Sequence, residues 1–299
     1  MRRVLRLDRP VDLEGILGPL RSGGDLSWTR VPGGWAHATR TPEGPGVEVV
    51  VVAAGFREIS GDFFGPGAPW LADRLPDLVG ADDDASGFRP PKPMLQTWRR
   101  HAGLRTPRTQ VVFETLVPVV LAQKVTGLEA AQGYRRLLRR YGEPIGEGPF
   151  PALLVPPPAR VWTQVPSWEW HRAGVGPERA RTVIAAARRA AALERLTQLA
   201  PDVAREKLQV VPGLGPWTAA EVAQRCWGDA DAFSWGDYHA AKDVVYALTA
   251  RRDGSDEEAR ELMADQVGHR FRVQRLVEVG RLGQPRRGPR YTGLDHRRR

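Results

Sequence analysis

The stretch Leu208-Gln209-Val210-Val211-Pro212-Gly213-Leu214-Gly215-Pro216-Trp217-Thr218-Ala219-Ala220 reads as helix, tight hairpin, helix. Gly213 and Gly215 can take the positive φ values of a four-residue turn and let the backbone come close to a partner, and Pro216 suits the first turn of the next helix. The start of that helix leaves unsatisfied N–H groups pointing outward, which bind a phosphate without help from a charged side chain. By local physics alone the same letters also describe a plain helix–helix turn, since Gly-Pro turns between helices are common.

Working outward, helical periodicity predicts helices over Val111–Val125, Leu128–Tyr141, Arg179–Leu196, Val203–Val210, Trp217–Trp227, Tyr238–Arg251 and Asp256–Gly280. Glu147–Pro158, rich in Pro and Gly, divides them as a boundary or as a long connection. Upstream, Gly80–Pro93 holds Asp82, Asp83, Asp84, Pro90, Pro91 and Pro93 and predicts a linker, its aspartates a solvated loop rather than a metal site. Before it, Val11–Leu20 predicts a short helix, and Leu26–Arg30, Trp35–Arg40 and Val47–Ala53 predict strands. The expected fold class is α+β: a small amino-terminal α/β domain containing a sheet over residues 1–95, a mostly helical core over 96–285, and a basic, flexible tail over 286–299.

At 299 residues and 41% hydrophobic content the chain can bury a real core. Its formal charge is +9, but Arg281–Arg299 carries seven Arg against one Asp, so the rest is only weakly basic and supports an anionic partner without demanding one. The single cysteine, Cys226, excludes an intrachain disulfide, a four-cysteine iron–sulfur cluster and the usual cysteine zinc sites, and fits a reducing cytoplasm. The apolar run Val47–Gly55 is far short of the roughly 20 residues of a membrane helix, and no export segment is expected. No glycine run fits a dinucleotide fingerprint or a phosphate-binding loop. The six histidines lack paired metal-ligand spacing, and structural roles suffice for His37, His101, His171 and His296.

After the hairpin comes Asp231-Ala232-Phe233-Ser234-Trp235-Gly236-Asp237-Tyr238-His239. Taken alone, Asp237 is a good helix N-cap, because aspartate is among the residues preferred there.

Val211–Gly215 with Thr218-Ala219 resembles the helix-hairpin-helix signature of the DNA glycosylase superfamily. Asp237 stands 20 positions after Trp217, the spacing of the branch resembling 3-methyladenine DNA glycosylase II. The resemblance extends through Ala102–Arg105, Val112–Glu114, Leu121–Thr126, Gly174–Gly176 with Arg179-Ala180, and Gly268–Val273, in the family's order, over about two thirds of the chain.

The resemblance implies a monofunctional glycosylase that hydrolyses the N-glycosidic bond of alkylated bases in duplex DNA during base excision repair, with Asp237 as the catalytic carboxylate. The lyase branch carries a nucleophilic lysine where this chain has Trp217, and an indole cannot form the Schiff base that opens the sugar. The implied base pocket holds Trp217, Trp235 and Tyr238, with Glu221 and His269 where the alkyl-base branch has aromatic residues, a more polar pocket. Implied DNA contacts are Gly213, Leu214, Gly215, Thr218, Gln123, Lys124 and Arg270, with Lys124 in the place of an apolar wedge. No cofactor is required; a monovalent cation would sit at the carbonyls of Gln209, Val211 and Leu214. The partner is duplex DNA with a damaged base, no membrane is involved, and the expected state is a cytoplasmic, nucleoid-associated monomer. Two rival readings stand beside this one: a damaged-DNA-binding protein without catalysis, and a glycosylase for deaminated or oxidised bases, which a polar pocket suits.

Overall fold

The computed structural model describes residues 1–53, 56–146 and 149–286. Five strands, β1 (Arg2–Arg6), β2 (Trp28–Val31), β3 (Gly34–Thr41), β4 (Gly44–Val52) and β5 (Glu58–Phe64), form an antiparallel sheet in the order β1-β5-β4-β3-β2. The register pairs Trp35 with Val50 and His37 with Glu48, so strand alternation puts Trp35, His37 and Thr39 on one face and Ala36 and Ala38 on the other.

Helices α1 (Leu13–Leu17) and α2 (Ala68–Leu78) cover the first face, where Ile16, Leu17, Leu71, Leu75 and Phe63 are buried. Gly61 in β5 makes room for this packing, because a Cβ there would lie 2.4 Å from Cζ of Phe63. Two strands, β1 and β5, and helix α2 go beyond the elements expected from the sequence. β1 is an edge strand whose alternate positions are exposed, and it exists through its register with β5.

The second sheet face is covered from within the Pro/Gly-rich segment. Strands β6 (Glu143–Pro144) and β7 (Leu154–Val155) pair, and Leu153 and Val155 pack on Ala36, Ala38 and Val47. The segment is thus the long connection, laid on the sheet; its Glu147 and Gly148 lie outside the described residues.

Helices α4 (Val112–Leu121), α5 (Gly127–Tyr141), α6 (Ala159–Trp162), α7 (Ser167–Ala173), α8 (Pro177–Ala187), α9 (Ala190–Glu194), α10 (Pro201–Leu208) and α11 (Pro216–Cys226) enclose one core around Leu116, Val120, Leu138, Val183 and Val222. α4 is apolar nearly all round and correspondingly buried. Its first amides, from Val112 and Phe113, donate to the carboxylate of Glu194 from α9, a cap supplied by tertiary structure. α5 opens instead with a local capping box, Thr126 and Glu129.

A second helical core joins α3 (Leu95–Arg100) to α12 (Ala240–Thr249), α13 (Asp256–Leu262) and α14 (Arg270–Gly280) around Met94, Phe233, Val244, Met263 and Leu276. Among the described residues no helix is long and apolar enough to cross a membrane.

Three sequence expectations are corrected. The pattern Asp256–Gly280 is two helices, broken where Gly268 takes φ 88° and its amide donates to Asp231. Arg179–Leu196 is likewise divided at Arg188-Arg189. The linker aspartates are not all solvated: Asp83 is bonded through both oxygens to Arg272 at 2.8 and 2.9 Å, which pins the segment to α14. The tail expected over 286–299 lies, beyond Arg286, outside the described residues.

Candidate active site

The hairpin joins α10 to α11, with Val211 and Leu214 buried beneath it and the Leu214 amide donating to the Val211 carbonyl. Gly213 has φ 89°, and a Cβ there would meet Oγ1 of Thr182 at 2.1 Å, so only glycine fits. Gly215 corrects the expectation: its φ is −93°, extended backbone, because Pro216 pushes the preceding residue out of the helical region. A Cβ at Gly215 would meet nothing within 4 Å, and no side chain caps α11. The first amides of α11 therefore face outward with the positive end of the helix dipole, a seat for an anion.

Gln123, just after α4, ties that helix end to the hairpin through Nε2, which donates to the Gly213 carbonyl at 2.9 Å and to Oγ1 of Thr218 at 2.8 Å. Thr218 is buried, so its side chain holds the hairpin and does not reach a partner, contrary to expectation. Leu214 is buried as well, leaving only its backbone for that purpose. Lys124 is exposed at the turn into α5 with φ 55°. Arg270, expected to touch DNA, has its guanidinium on Asp231, with Nε at 2.8 Å from Oδ1 and Nη2 on Oδ2. Burial opposes ionisation of Asp231, but Arg270 outweighs it and holds the carboxyl below its ordinary range.

Asp237 lies in the turn before α12. Its Oδ1 accepts the amides of His239 and Ala240 at 2.8 and 2.9 Å, a turn that leads into α12; the N-cap position itself falls on His239, two residues after the Asp237 expected there. Oδ2 is left for Trp217, whose Nε1 donates to it at 3.2 Å. The turn is steadied from α13, where Asp256 accepts the Gly236 amide at 2.7 Å.

Trp217 also lines a cavity of about 260 Å³ between the sheet and the helices. Glu221 lines it too, paired to Arg225 at 2.8 Å and accepting from Ser234. The other expected pocket residues are elsewhere. Trp235 packs on Phe233 and lies under the Arg260 guanidinium at 4.2 Å, at the edge of the second helical core. His269 leans on Phe88 at 5.4 Å, and burial, aided by Arg272, lowers its pKa. Tyr238 is 74% exposed, with the Lys242 ammonium 4.1 Å from its ring centroid.

The rest of the cavity comes from residues that sequence reasoning missed. Trp28 and His37 stack at 3.8 Å and 12°, Tyr134 rises from α5, and Glu114 and Asp25 bring carboxyl groups. His37 was read as structural; it bonds through Nδ1 to Glu48 at 2.9 Å. Burial pushes the Asp25 and Glu114 carboxyls up from their ordinary range. Among the described residues no group of His, Cys, Asp and Glu could hold a metal ion.

No family model matches the chain. It is 28% identical over 282 residues to a Mycobacterium tuberculosis protein named probable bifunctional transcriptional activator/DNA repair enzyme AlkA, covering 85% of this chain and 51% of that protein. It is 35% identical over 141 residues to the Escherichia coli protein named DNA-3-methyladenine glycosylase 2, covering 46% of this chain and 48% of that one. The chain thus spans about half the length of the curated relatives it matches. Among solved structures it is similar to a 3-methyladenine DNA-glycosylase from Archaeoglobus fulgidus, with a TM-score of 0.72 at 18% identity over 93% of this chain and 98% of that one. A Clostridium acetobutylicum 8-oxoguanine glycosylase/lyase in complex with double-stranded DNA matches with a TM-score of 0.67 at 14% identity, over 93% and 97% of the two chains. In sequence the chain is a homologue of proteins named AlkA and DNA-3-methyladenine glycosylase 2, and its fold is that of the helix-hairpin-helix glycosylases.

Proposed function

We propose that the chain is a monofunctional DNA glycosylase that hydrolyses the N-glycosidic bond of alkylated bases in duplex DNA and leaves an abasic site. The observation that carries this reading is the Asp237 carboxylate, which has one oxygen committed to the α12 amides and the other on Trp217, whose ring lines the cavity.

A base within a duplex is out of reach, so the nucleotide must first leave the stack. The hairpin amides at the start of α11 hold the backbone phosphate while it does so. Positive charge grows on the sugar as the base departs, and the fixed Asp237 carboxylate stabilises it and orients the attacking water. Trp217 in the lysine position supplies no amine for a Schiff base, so strand cleavage does not follow.

A monovalent cation at the hairpin belongs to the same reading. The Val211 carbonyl accepts the Leu214 amide, whereas those of Gln209 and Leu214 accept no hydrogen bond among the described residues. These oxygens would hold the ion, which adds positive charge where the phosphate docks. The protein acts as a monomer.

The test is base release from methylated duplex DNA by wild type and Asp237→Asn, with abasic sites scored before and after alkali. Release by wild type alone, binding by both, and strand breaks only after alkali support the reading. No release by wild type from methylated or deaminated duplex, with binding retained, overturns it in favour of a damage-binding protein.

A further inference from the structure

The helix that presents Trp217 to Asp237 makes a second set of contacts with the same loop. Trp217, Glu221 and Gln224 stand at i, i+4 and i+7 of α11, so their side chains share one side of it. Nε2 of Gln224 donates to the Ala232 carbonyl at 2.7 Å and to Oγ of Ser234 at 2.9 Å. Oγ of Ser234 donates in turn to Oε1 of Glu221, whose Oε2 takes the Arg225 guanidinium at 2.8 Å. From α14, Oε1 of Gln274 accepts the Ser234 amide at 3.1 Å. The Ser234 carbonyl accepts the amide of Asp237, also at 3.1 Å. Every polar atom of Ser234 is thereby used, at a residue that is 1% exposed.

The Glu221 carboxylate gives this chain of bonds one direction. It can only accept, so the serine hydroxyl has to donate to it and accept from Gln224, whose two amide hydrogens are then both used. Gln224, Ser234 and Gln274 are all buried, and polar groups in such places add little net stability that apolar packing would not match. What a fully satisfied network adds is a single arrangement of the groups it joins. Here it joins α11 and α14 to the residue whose carbonyl holds the Asp237 amide, while Asp256 on α13 holds the intervening Gly236.

We propose that Ser234, oriented by Glu221 and Gln224, is the positioning residue of the site: it sets the Asp237 turn against Trp217, and so fixes where the carboxylate meets the sugar. The inference rests on the glycosylase reading for the chemistry, but the placement of the turn is measured without substrate. One face of α11 then determines both ends of the Trp217–Asp237 contact, directly through the indole and indirectly through Ser234.

The experiment makes Ser234→Ala, Gln224→Leu and Glu221→Gln in the full chain. It reads thermal melting, amide exchange by mass spectrometry, and single-turnover base release from methylated duplex at saturating enzyme. Ser234→Ala and Gln224→Leu melt within about 5 °C of wild type and bind an abasic duplex as wild type does. Their amides over residues 237–240 exchange faster while those of α4 exchange as in wild type, and base release slows at least about tenfold at saturation. Glu221→Gln keeps the shape of the side chain but removes the group that fixes the direction of the bonds, and shows the same pattern. Its side chain lies on the cavity wall, so it carries the test if the buried variants fail to fold.

If wild type releases base and the folded variants release it at the same rate, or if the 237–240 amides exchange no faster in them, the positioning role is overturned and the glycosylase reading stands. Lower melting with faster exchange throughout the helical core assigns Ser234 to the fold alone and also overturns it. If wild type releases no base from any duplex while the variants loosen only the turn, Ser234 still places Asp237 and the glycosylase reading falls.

Discussion

Trp217 donates through Nε1 to Oδ2 of Asp237 at 3.2 Å, while the other oxygen of that carboxylate accepts two amides at the start of α12. One side chain therefore serves the fold with Oδ1 and the site with Oδ2. Asp237→Asn keeps an oxygen for the amides, so it should melt with wild type while base release falls by about 100-fold or more. Asp237→Ala should lose these amide bonds as well, about 1 kcal/mol of stability. Trp217→Phe, which removes only the N–H, should cost about 1 kcal/mol of orientation, a five- to tenfold lower single-turnover rate. Equal loss of melting temperature in the Asn and Ala variants would contradict this division of labour.

The two hairpin glycines should behave differently. Gly213→Ala forces an L-residue to φ 89° and against Thr182, and should destabilise the fold by about 1–3 kcal/mol in urea melts. Gly215→Ser places a favoured N-cap residue where nothing obstructs it, so stability should hold. Its added bulk at the phosphate seat should nevertheless weaken duplex binding. An unchanged duplex affinity for Gly215→Ser would show that close approach is not needed there.

Arg74 and Glu48 form a buried pair beneath the sheet. Arg74→Met should leave Glu48 buried without its guanidinium and cost about 3 kcal/mol or more. Burial alone would raise the Glu48 pKa, but Arg74 and His37 outweigh it and hold the carboxyl below its ordinary range. A depressed folded pKa contributes stability present above the unfolded value, about 4.3, and lost as pH falls through the folded value. Wild type should therefore lose stability on acidification through this group, and Arg74→Met should lack that component. Urea melts at neutral and acid pH check both statements.

Lys124 stands exposed at the end of the α4–α5 turn. If it neutralises one phosphate, Lys124→Ala should lower the slope of log affinity against log salt by about 0.9. An unchanged slope assigns Lys124 no phosphate.

The hairpin was legible because its determinants are local: Pro216 begins a helix and Gly213 takes a positive φ that glycine accepts freely; Thr126 with Glu129 likewise starts α5 by their own spacing. Asp237 stood out through the resemblance and its spacing from Trp217, and its hydrogen bonds to the His239 and Ala240 amides are local as well, made to neighbours two and three residues on. Gly215 misled because both glycines suit a turn on paper, and only the φ imposed by Pro216 separates them.

Tertiary structure decided what lines the cavity. Trp235 and His269 carry the right chemistry, yet packing around Phe233 and Phe88 takes their rings elsewhere. Asp25, His37 and Glu114 are unremarkable letters far apart in the chain, brought together when one sheet face docks on α4 and α5. Sequence by itself determined most of the helices of the core, three strands of the sheet and the turn between α10 and α11, which depend on dihedral preferences and neighbours a few residues away. Only the fold determined which side chains lost their water together, because burial is a property of surfaces that meet.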